Sequence, residues 1–528
     1  MAPSNLNRPT AVELFAGVGG FALGLESELR GFHPDRGWDW KRGAGRWQVV
    51  WANQWEPTTR GQHAADGYRA RFPGTPLVDA DVDAILDVEL AEEEARDANV
   101  AFQRLRDHAL TGHVRRRSSE LDQQRQAAAR VARWTASPLP ERFDLLVGGF
   151  PCQDYSVAKT LRQASGIVGP KGVLWWQIER IIRHRRPAHV LLENVDRLLK
   201  SPTDDRGRDF AIMLATFAYH GYEVEWRVIN AANYGLPQRR RRVFIHARRT
   251  RPASGPTPGF LAEGPHVLTE TGLFARTFPA TFGGEEPIDD LLGSGGVLDP
   301  KTLSSNWGGR RRSPWRAAGY MRGGQVLTAD VAAPTDDRAP NSILGRAYTL
   351  GDILLDAKHV LKDPELRGFL VPRQQLDPEG DTPRRGTWDY LKGPKRDPRR
   401  SNGGFAYDYS EGGIAFPEPQ DRASRTIVTG EGGSSPSRFK LVVEQEVPDS
   451  FDLTDVPTQV TDALLHRDGR TSVYRRLTPI ELERLNMFPD DWTKGIGSDS
   501  RRAFTMGNAL VVGVVEQLGR ALADELSS

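Results

Sequence analysis

The chain has 528 residues, of which 38% are hydrophobic and 27% are charged, the composition of an ordinary globular protein with roughly two to four domains. Its longest apolar run, Ala509–Val515, is far below the roughly 18 residues of a membrane span, and the N-terminus lacks a signal-peptide pattern, so we expect a cytoplasmic protein. The formal net charge of +2 does not by itself indicate a nucleic-acid partner, and the single cysteine, Cys152, excludes intramolecular disulfides and multi-cysteine metal sites.

Residues 11–250 alternate between strands and helices. Strands are predicted at six apolar runs that end in glycine or acidic residues: 11–15, 47–53, 144–147, 189–192, 223–228 and 242–247. Helical patterns lie between several of them, as at 174–183 and 210–218. Because this alternation is typical of βαβ units, we predict an α/β fold with a doubly wound, mostly parallel sheet.

Residues 85–140 are predicted to be a helical insertion. The stretch from Glu89 to Trp134 is rich in Ala, Glu, Arg and Gln and almost free of Gly and Pro. The simplest role is a solvated helical hairpin, and a docking arm for DNA or a protein partner has no further support.

From about residue 251 the composition shifts to Gly, Pro, Ser and Arg, and loops are predicted to about residue 470. Loops suit recognition, because they carry specificity on a rigid frame. Arginine runs at 310–312 and 399–400 lie in this region, and alone they only weakly favour a polyanion partner over a solvated surface.

Two helices are predicted near the C-terminus. One returns at 477–485, with Pro479 in its first turn, and the last segment forms a helical stripe of Val511, Val515, Leu518 and Leu522.

The first constellation with chemical meaning is Glu13–Gly20, where a strand runs into a glycine turn and then a helix with Phe21, Leu25 and Leu29 on one face. Glycine allows the backbone to approach a ligand closely, and both dinucleotide and methyl-donor sites use such turns. Glu56 and Asp81 follow the next two apolar runs, where they could accept from ribose hydroxyls and an adenine amino group. The ordered set favours a nucleoside cofactor.

Two further motifs lie at predicted strand ends, the edge where open α/β sheets bind ligands. Cys152 follows a strand and two glycines within Phe150–Ser156, a position that favours reactivity over burial. Glu193 ends the strand that contains Leu191 and Leu192, and its carboxyl is a candidate proton donor if its surroundings keep it protonated.

An arginine-rich motif begins at Gln238 and leads into the last predicted strand. Alternate residues of a strand share a face, so Arg240 and Arg242 should point together toward a phosphate or a base carbonyl. Near the C-terminus, Asn508 follows Gly507 and is predicted to cap the final helix.

Together these motifs resemble the DNA cytosine-5 methyltransferases, in the family's usual order and over about 12–246 and 475–518. Phe15–Gly20 is similar to the methyl-donor loop, Pro151-Cys152-Gln153 to the nucleophile motif and Glu193-Asn194-Val195 to the acid motif. Gln238 with Arg240 and Arg242 resembles the paired-arginine motif, and Gly507-Asn508-Ala509 the closing motif.

The resemblance implies S-adenosylmethionine as donor, S-adenosylhomocysteine as product, no metal, and double-stranded DNA as substrate. Cys152 would add to carbon 6 of a flipped-out cytosine, Glu193 would bind the ring nitrogen and amine, and Arg240 and Arg242 would hold the base carbonyl and the DNA backbone. Loop residues after the nucleophile, Gln153 and Ser156, would close over the gap.

The resemblance also implies binding residues. The donor would be held by Phe15, Ala16, Gly17, Val18, Gly19, Gly20, Glu56, Asp81, Pro151, Leu174 and Asn508. DNA would be contacted by Gln153, Ser156, Gln238, Arg425 and Thr426, the last two because Arg422–Thr429 resembles a short signature of the family's recognition domains. The sequence departs from the family at Gly169-Pro170-Lys171-Gly172, where an acidic residue and an arginine are usual, and this leaves the local contacts open.

Three other functions share parts of this pattern. A nicotinamide-dependent oxidoreductase shares only the glycine loop. A tRNA cytosine-5 methyltransferase of the same fold is closer, but the large loop-rich region favours duplex DNA. A partner-dependent DNA-binding subunit without activity would not need the full catalytic set.

We therefore expect a catalytic domain at 1–250 with the insertion at 85–140, a smaller target-recognition domain at 251–494, and a segment at 495–528 that returns to the catalytic domain. The enzyme would be monomeric on DNA, associated with the bacterial nucleoid, and active in restriction or phage defence, with a possible protein partner there.

Overall fold

The structure is a computed structural model that describes residues 8–527 except 58, 60, 95–96, 112–119, 151–173, 204, 251–258, 289–298, 333–341, 377–383, 401–403 and 455. The strands are β1 (Thr10–Leu14), β2 (Ser27–His33), β3 (Gly37–Arg42), β4 (Gln48–Asn53), β5 (Leu77–Val78), β6 (Leu145–Gly149), β7 (His189–Val195), β8 (Tyr222–Asn230), β9 (Arg241–Arg249), β10 (Thr281–Ile288), β11 (Ala318–Arg322), β12 (Gln325–Ala332), β13 (Lys395–Arg400), β14 (Ala406–Glu411), β15 (Val442–Glu446), β16 (Leu464–Arg467) and β17 (Arg470–Arg476).

The helices in the catalytic part are α1 (Gly20–Glu26), α2 (His63–Arg71), α3 (Val82–Glu89), α4 (Ala98–Thr111), α5 (Glu120–Thr135), α6 (Leu174–Arg185) and α7 (Arg208–Tyr219). Those that follow are α8 (Phe260–His266), α9 (Leu273–Thr277), α10 (Pro300–Asn306), α11 (Leu350–Ile353), α12 (Ala357–Lys362), α13 (Trp388–Lys392), α14 (Thr458–Thr461), α15 (Pro479–Leu485), α16 (Asp499–Asn508) and α17 (Val512–Ser527). None of the helices in the described part of the chain is long and apolar enough to cross a membrane.

A ten-stranded sheet forms the centre of the molecule, in the order β10-β12-β11-β8-β9-β7-β6-β1-β4-β5. Strands β5, β4, β1, β6 and β7 pair in parallel. Beyond β7 each neighbour is antiparallel, so β8 and β12 run with the parallel strands while β9, β11 and β10 run against them. The predicted α/β fold with a mostly parallel sheet is confirmed, and all six predicted strands are present.

The sheet is covered on both faces. Successive residues of its strands enter different cores: Leu145 and Val147 of β6 pack in one cluster with α1 and α17, and Leu146 packs in the other with α6 and α7. Side chains of a strand alternate between faces, and a parallel sheet is stable when apolar layers cover both of them. The near-continuous apolar runs of the sequence are the consequence.

The first helix is shorter than predicted. It ends at Glu26, and Leu29 lies in the β2–β3 hairpin instead of on the helix. Gly24 lets α1 pack closely against α17, because a Cβ at this position would lie 2.9 Å from the side chain of Val515. The C-terminal prediction was also wrong in one detail, because Asn508 ends α16 and does not cap the final helix, which begins at Val512.

The predicted insertion is helical. Its helices α4 and α5 are tied to the sheet by Trp134, whose indole donates to buried Asp79 at 2.8 Å, and by Arg133, which pairs with the same carboxylate at 3.0 Å. Arg180 of α6 adds ion pairs to Asp83 and Glu94 at 2.7 and 2.8 Å.

The predicted boundary at residue 251 does not coincide with the edge of the sheet. Strands β10, β11 and β12 extend the sheet through Ala332 by pairing onto β8. Beyond it, a three-stranded sheet in the order β15-β17-β16, the β13–β14 hairpin and short helices surround two small cores. We propose that the recognition lobe spans about 342–476, because α15 already packs in the core of the catalytic part through Leu482 and Leu485.

Candidate active site

The glycine turn at the end of β1 has the geometry that its sequence predicts. Phe15, Gly17 and Gly19 have φ of 55°, 56° and 84°. The amide of Ala16 donates to Asn53 at 2.9 Å, and the amide of Gly17 donates to the side chain of Gln54 at 2.7 Å. The turn is therefore held against the end of β4, with its backbone at the carboxyl edge of the parallel strands.

Glu13 lies directly beneath this turn. Its carboxyl is fully buried and accepts from the hydroxyl of Tyr68 at 3.1 Å, and burial raises its pKa to about 8. The ring of Tyr68 packs against Phe72, with ring centroids 4.7 Å apart, and the Phe72 ring would lie 2.3 Å from a Cβ at Gly19. The sequence analysis placed Glu13 in the motif without a role, and it missed Gln54, which directly follows a predicted strand.

The predicted donor-binding residues line the same sheet edge. Glu56 follows β4 and accepts from the amide of Ala64 at 3.1 Å, while Asp81 follows β5, caps α3 through the amide of Asp83 at 3.0 Å, and lies 3.4 Å from Gln177 of α6. Leu174 is the first residue of α6.

The open space and the chemistry of these groups fit S-adenosylmethionine. Among the described residues, no atom would lie within 4 Å of a Cβ at Gly17, so they leave room for a ligand against the backbone of the turn. Carboxylates suit ribose hydroxyls and an adenine amine as acceptors.

The segment after the closing motif packs against the glycine turn Phe15–Gly20. Leu510, two residues after Asn508, would lie 3.2 Å from a Cβ at Gly20, and the exposed Asn508 lies at the end of α16. The indole of Trp492 donates to the carbonyl of Val18 at 2.9 Å, so a residue just before the C-terminal segment also holds the turn in place.

A buried carboxylate and an arginine meet at the end of β7. Glu193 is 8% exposed, and the Nε of Arg242 lies 2.8 Å from its Oε1. Burial raises the pKa of Glu193, and the guanidiniums of Arg242 and Arg240 oppose that shift. A carboxyl in this environment keeps a proton to higher pH than a solvated one, as its predicted role requires.

The described residues that precede the predicted nucleophile lie beside Glu193. The side-chain amide of Asn194 donates to the carbonyl of Phe150 at 2.9 Å, and a Cβ at Gly149 would lie 3.3 Å from Oε2 of Glu193. Pro151, Cys152, Gln153 and Ser156 lie outside the described residues. Cys152 follows Phe150 by two residues in the sequence. Sequence reasoning did not assign this anchoring role to Asn194.

The paired arginines are placed differently. Arg242 contacts Glu193, whereas Arg240 is buried and donates to the carbonyls of Ile427 at 3.4 Å and Gly507 at 2.9 Å. Arg240 thus joins β9 to the recognition segment and to the closing motif. Burial and the neighbouring guanidinium of Arg242 lower the pKa of Arg240, and the carboxylate of Glu193 opposes that shift.

Gln238 is fully buried and its amide is used within the protein. It donates to Leu485 and Asn486 at 3.2 and 3.0 Å and accepts from the amide of Ile427 at 3.0 Å. The structure therefore does not support the predicted DNA contact for Gln238, because no part of the amide is directed to solvent. Its role here is to lock the recognition segment to the catalytic part.

The predicted recognition signature lies against the arginine motif. The hydroxyl of Thr426 donates to the carbonyl of Arg239 at 2.5 Å, and Ser424 forms a backbone bridge to Gln238. Arg425 forms an ion pair with Glu418, and its side chain is 24% exposed. DNA contact by Arg425 and Thr426 stays a prediction.

A glycine turn at β1 and a buried acid–arginine pair at β7, on one edge of a doubly wound sheet, define a Rossmann-like methyltransferase. Residues 122–271 and 377–524 match the model of the C-5 cytosine-specific DNA methylase family. The chain is 35% identical to Type II methyltransferase M.Sau3AI of Staphylococcus aureus over 520 residues, 98% of this chain and 96% of that protein. It therefore belongs to the DNA (cytosine-5) methyltransferase family, of the restriction-modification type.

Shorter similarities agree with this membership. Type II methyltransferase M.NlaIV of Neisseria lactamica is 37% identical over 107 residues, 20% of this chain and 25% of that one. Among solved structures, the Entamoeba histolytica methyltransferase EhMeth covers 99% of this chain and 100% of its own at 10% identity and a TM-score of 0.45, too distant to add to the argument.

Proposed function

We propose that this DNA (cytosine-5) methyltransferase methylates a flipped-out cytosine within a specific sequence of double-stranded DNA, using S-adenosylmethionine as donor and Cys152 as covalent nucleophile, and that it serves host DNA modification in restriction or phage defence. The observation that supports this best is the geometry at the end of β7, where Glu193 pairs with Arg242 and Asn194 anchors Phe150, two residues before the only thiol of the chain.

Cys152 carries the covalent step. Its thiolate adds to carbon 6 of cytosine, forming a sulfur–carbon bond and moving an electron pair to carbon 5, which takes the methyl group. Loss of the carbon 5 proton to a base and cleavage of the sulfur–carbon bond then restore the ring and the thiolate. S-adenosylmethionine supplies an electrophilic methyl group and leaves as S-adenosylhomocysteine.

Glu193 stabilises the attacked base. Its buried carboxyl, with a raised pKa, is suited to hydrogen-bond the ring nitrogen and exocyclic amine as negative charge develops on the ring. Arg242 orients this carboxyl through its 2.8 Å contact and presents its other guanidinium nitrogens to the base carbonyl. Arg240 acts from behind, as a positioning residue that keeps β9 in register with Ile427 and Gly507.

The donor is held at the same carboxyl edge of the sheet, beside the ends of β1, β4 and β5. The backbone of Phe15–Gly20 surrounds it, Glu56 accepts from its ribose, Asp81 accepts from its adenine, and Asn508 and Leu174 complete the pocket. Base flipping is required because this geometry cannot form within a stacked duplex, and it costs about a few kcal/mol.

The decisive experiment is methylation of mixed-sequence duplex DNA by the purified protein with S-adenosylmethionine, read by bisulfite conversion at base resolution. We expect 5-methylcytosine at one short motif, and none with Cys152→Ala, which should bind the donor like the wild type. Methylation of tRNA but not DNA would overturn the duplex-DNA substrate. Loss of donor binding in Cys152→Ala would overturn its role as nucleophile and make it structural.

A further inference from the structure

A cleft of about 610 Å³ opens immediately beyond the catalytic strand β7. It is lined by residues of the 3₁₀ turn Asp196–Lys200 and by Ser201, Pro202, Thr203 and Arg206. Asp196 is three residues from Glu193, so their Cα atoms are at most about 10 Å apart. A duplex whose cytosine is held at Glu193 therefore has phosphates within reach of this cleft, since they recur about every 3.4 Å along each strand.

The cleft is lined by three cations: Arg197, Lys200 and Arg206. Its acidic residue, Asp196, is already paired with Arg241 of β9 at 2.9 Å, and nearby Asp205 is paired with Arg208. Within the described part of the chain, no carboxylate forms an ion pair with the three lining cations. Their charge is available to an anionic partner.

The cleft is built on a fixed support. Leu198 and Leu199 anchor the turn in the core, and the hydroxyl of Ser313 donates to the carbonyl of Leu199 at 2.5 Å. The amide of Arg206 donates to the carbonyl of Arg310 at 3.0 Å, and the indole of Trp307 donates to the carbonyl of Arg206 at 3.3 Å.

These contacts bring a second basic segment to the cleft. Arg310, Arg311 and Arg312 are all exposed, and the guanidinium of Arg310 lies 5.3 Å from the ring centroid of Trp307. The arginine run that had no assigned role in the sequence is thus adjacent to Arg206. Three basic side chains therefore line the cleft, and three more lie on the exposed segment that is hydrogen-bonded to Arg206.

We propose that this cleft, lined by Arg197, Lys200 and Arg206 and flanked by Arg310–Arg312, binds phosphates of the DNA backbone next to the target cytosine. The proposal rests on duplex DNA being the substrate. Contacts of this kind fix the register of the duplex without reading bases, so the cleft orients DNA for base capture independently of the recognition lobe.

The test is the salt dependence of binding to a fluorescent duplex of mixed sequence, measured by anisotropy for the wild type and for the triple variant Arg197→Ala/Lys200→Ala/Arg206→Ala. Each lost phosphate contact reduces the slope of log K against log salt by about 0.9, so we expect a slope smaller by about 2–3. Melting curves and donor binding should match the wild type.

The control is the triple variant Arg30→Ala/Arg36→Ala/Lys41→Ala, which removes equal charge from exposed positions on the β2–β3 hairpin and should leave the slope unchanged. If the cleft variant fails to fold, Lys200→Glu alone, at an exposed position, should still lower the slope by about 1 or more.

An unchanged slope in a folded cleft variant, or an equal loss in the hairpin control, would overturn the cleft. A wild-type protein that binds duplex DNA but does not methylate it would instead overturn the proposed function, so the two failures are distinguishable.

Discussion

The parallel half of the sheet and the loops of the recognition lobe satisfy their backbone groups in different ways. In the parallel half, β1, β4, β6 and β7 pair with one another, and functional side chains lie at or after the strand ends. In the loops of the recognition lobe, outside its own strands, a buried lysine and a partly buried arginine donate to backbone carbonyls. Lys440 donates to Gly433 and Ser435 at 3.0 and 2.8 Å, and Arg438 donates to Leu391 and Gly393 at 3.1 and 3.2 Å.

This difference indicates what a substitution removes in each region. A buried carbonyl must be paired, and an irregular backbone leaves many that only a side chain can reach. Replacing one cation in the recognition lobe therefore removes structure, whereas replacing a residue at a strand end of the parallel half removes chemistry and leaves the ladder intact.

The largest expected effect is on catalysis in the parallel half. Glu193→Gln should lower kcat by about 10²–10⁴, because the amide cannot supply a proton to the base, while donor affinity stays unchanged. Since burial raises the pKa of Glu193, wild-type activity should fall as pH rises through that raised pKa. Steady-state methylation across pH, with donor binding by calorimetry, measures both.

The Glu193→Gln profile should lack the alkaline decline that Glu193 causes. An unchanged kcat, or a parallel loss of donor affinity, would show that Glu193 supports the fold and not the reaction.

The next effect concerns the recognition lobe. Arg475 and Glu481 are both fully buried and form a two-point contact, at 2.8 Å and 2.5 Å. Arg475→Met leaves a buried carboxylate unpaired and should lower the free energy of unfolding by about 3–5 kcal/mol. Denaturant unfolding followed by tryptophan fluorescence provides the measurement.

The matched control is Arg470→Met on the same strand, β17. Its partner Glu446 is also 2.7 Å away, but both side chains are exposed, so the expected change is below about 1 kcal/mol. Equal costs for the two variants would contradict the contrast between a buried and an exposed ion pair.

A smaller effect separates two glycines of the donor turn. Gly19→Ala places a Cβ 2.3 Å from Phe72 at φ 84°, so it should lower the melting temperature with or without donor. The new Cβ of Gly17→Ala meets no atom within 4 Å in the described part of the chain, so beyond about 1–2 kcal/mol of left-handed strain this variant should mainly weaken donor affinity. Thermal melts with and without S-adenosylmethionine distinguish the two.

If Gly17→Ala gained as much thermal stability from the donor as the wild type, the donor would not lie against that backbone.

The last effect is the pH dependence of stability from Glu13. Its pKa is raised from 4.5 to about 8 in the folded protein, so the folded state holds the proton more tightly. The stability this provides is fully present below about pH 4.5 and is lost as pH rises toward 8. The glutamine of Glu13→Gln cannot ionise, so the unfolding free energy of this variant should fall less between pH 5 and pH 8 than that of the wild type. The difference between the two decreases is the contribution of Glu13.

Glu28→Gln, at a partly exposed carboxylate of β2, is the control and should keep the wild-type pH profile. A Glu13→Gln profile that matched it would show that Glu13 does not titrate in this range.

Much of the catalytic part was predictable because its information is local. The alternation of apolar runs located all six strands, and the position of Glu193 near the end of one of them followed from that pattern, whereas Cys152 lies outside the described residues. The hairpin β2–β3 was missed because Gly24 and the packing of α17 end the first helix early, and a contact with a segment nearly 500 residues away leaves no local pattern.

The recognition lobe was predictable only as a loop-rich region. The strands β10, β11 and β12 were assigned to it, but they complete the central sheet by pairing onto β8. Edge pairing of this kind depends on which strand is left uncovered after the rest of the sheet has formed, and composition does not carry that information.

The sequence by itself determined the chemistry: one thiol, a glycine turn, an acid after an apolar strand and a paired-arginine motif, each defined by residue type and short spacing. Tertiary structure alone decided which of those groups face a substrate. It buried Gln238 and Arg240 as links between segments, left Arg242 on Glu193, and joined two distant basic segments around one cleft. The physical reason is that burial and charge pairing are properties of side chains from distant parts of the chain, and these meet only when the sheet and its layers are assembled.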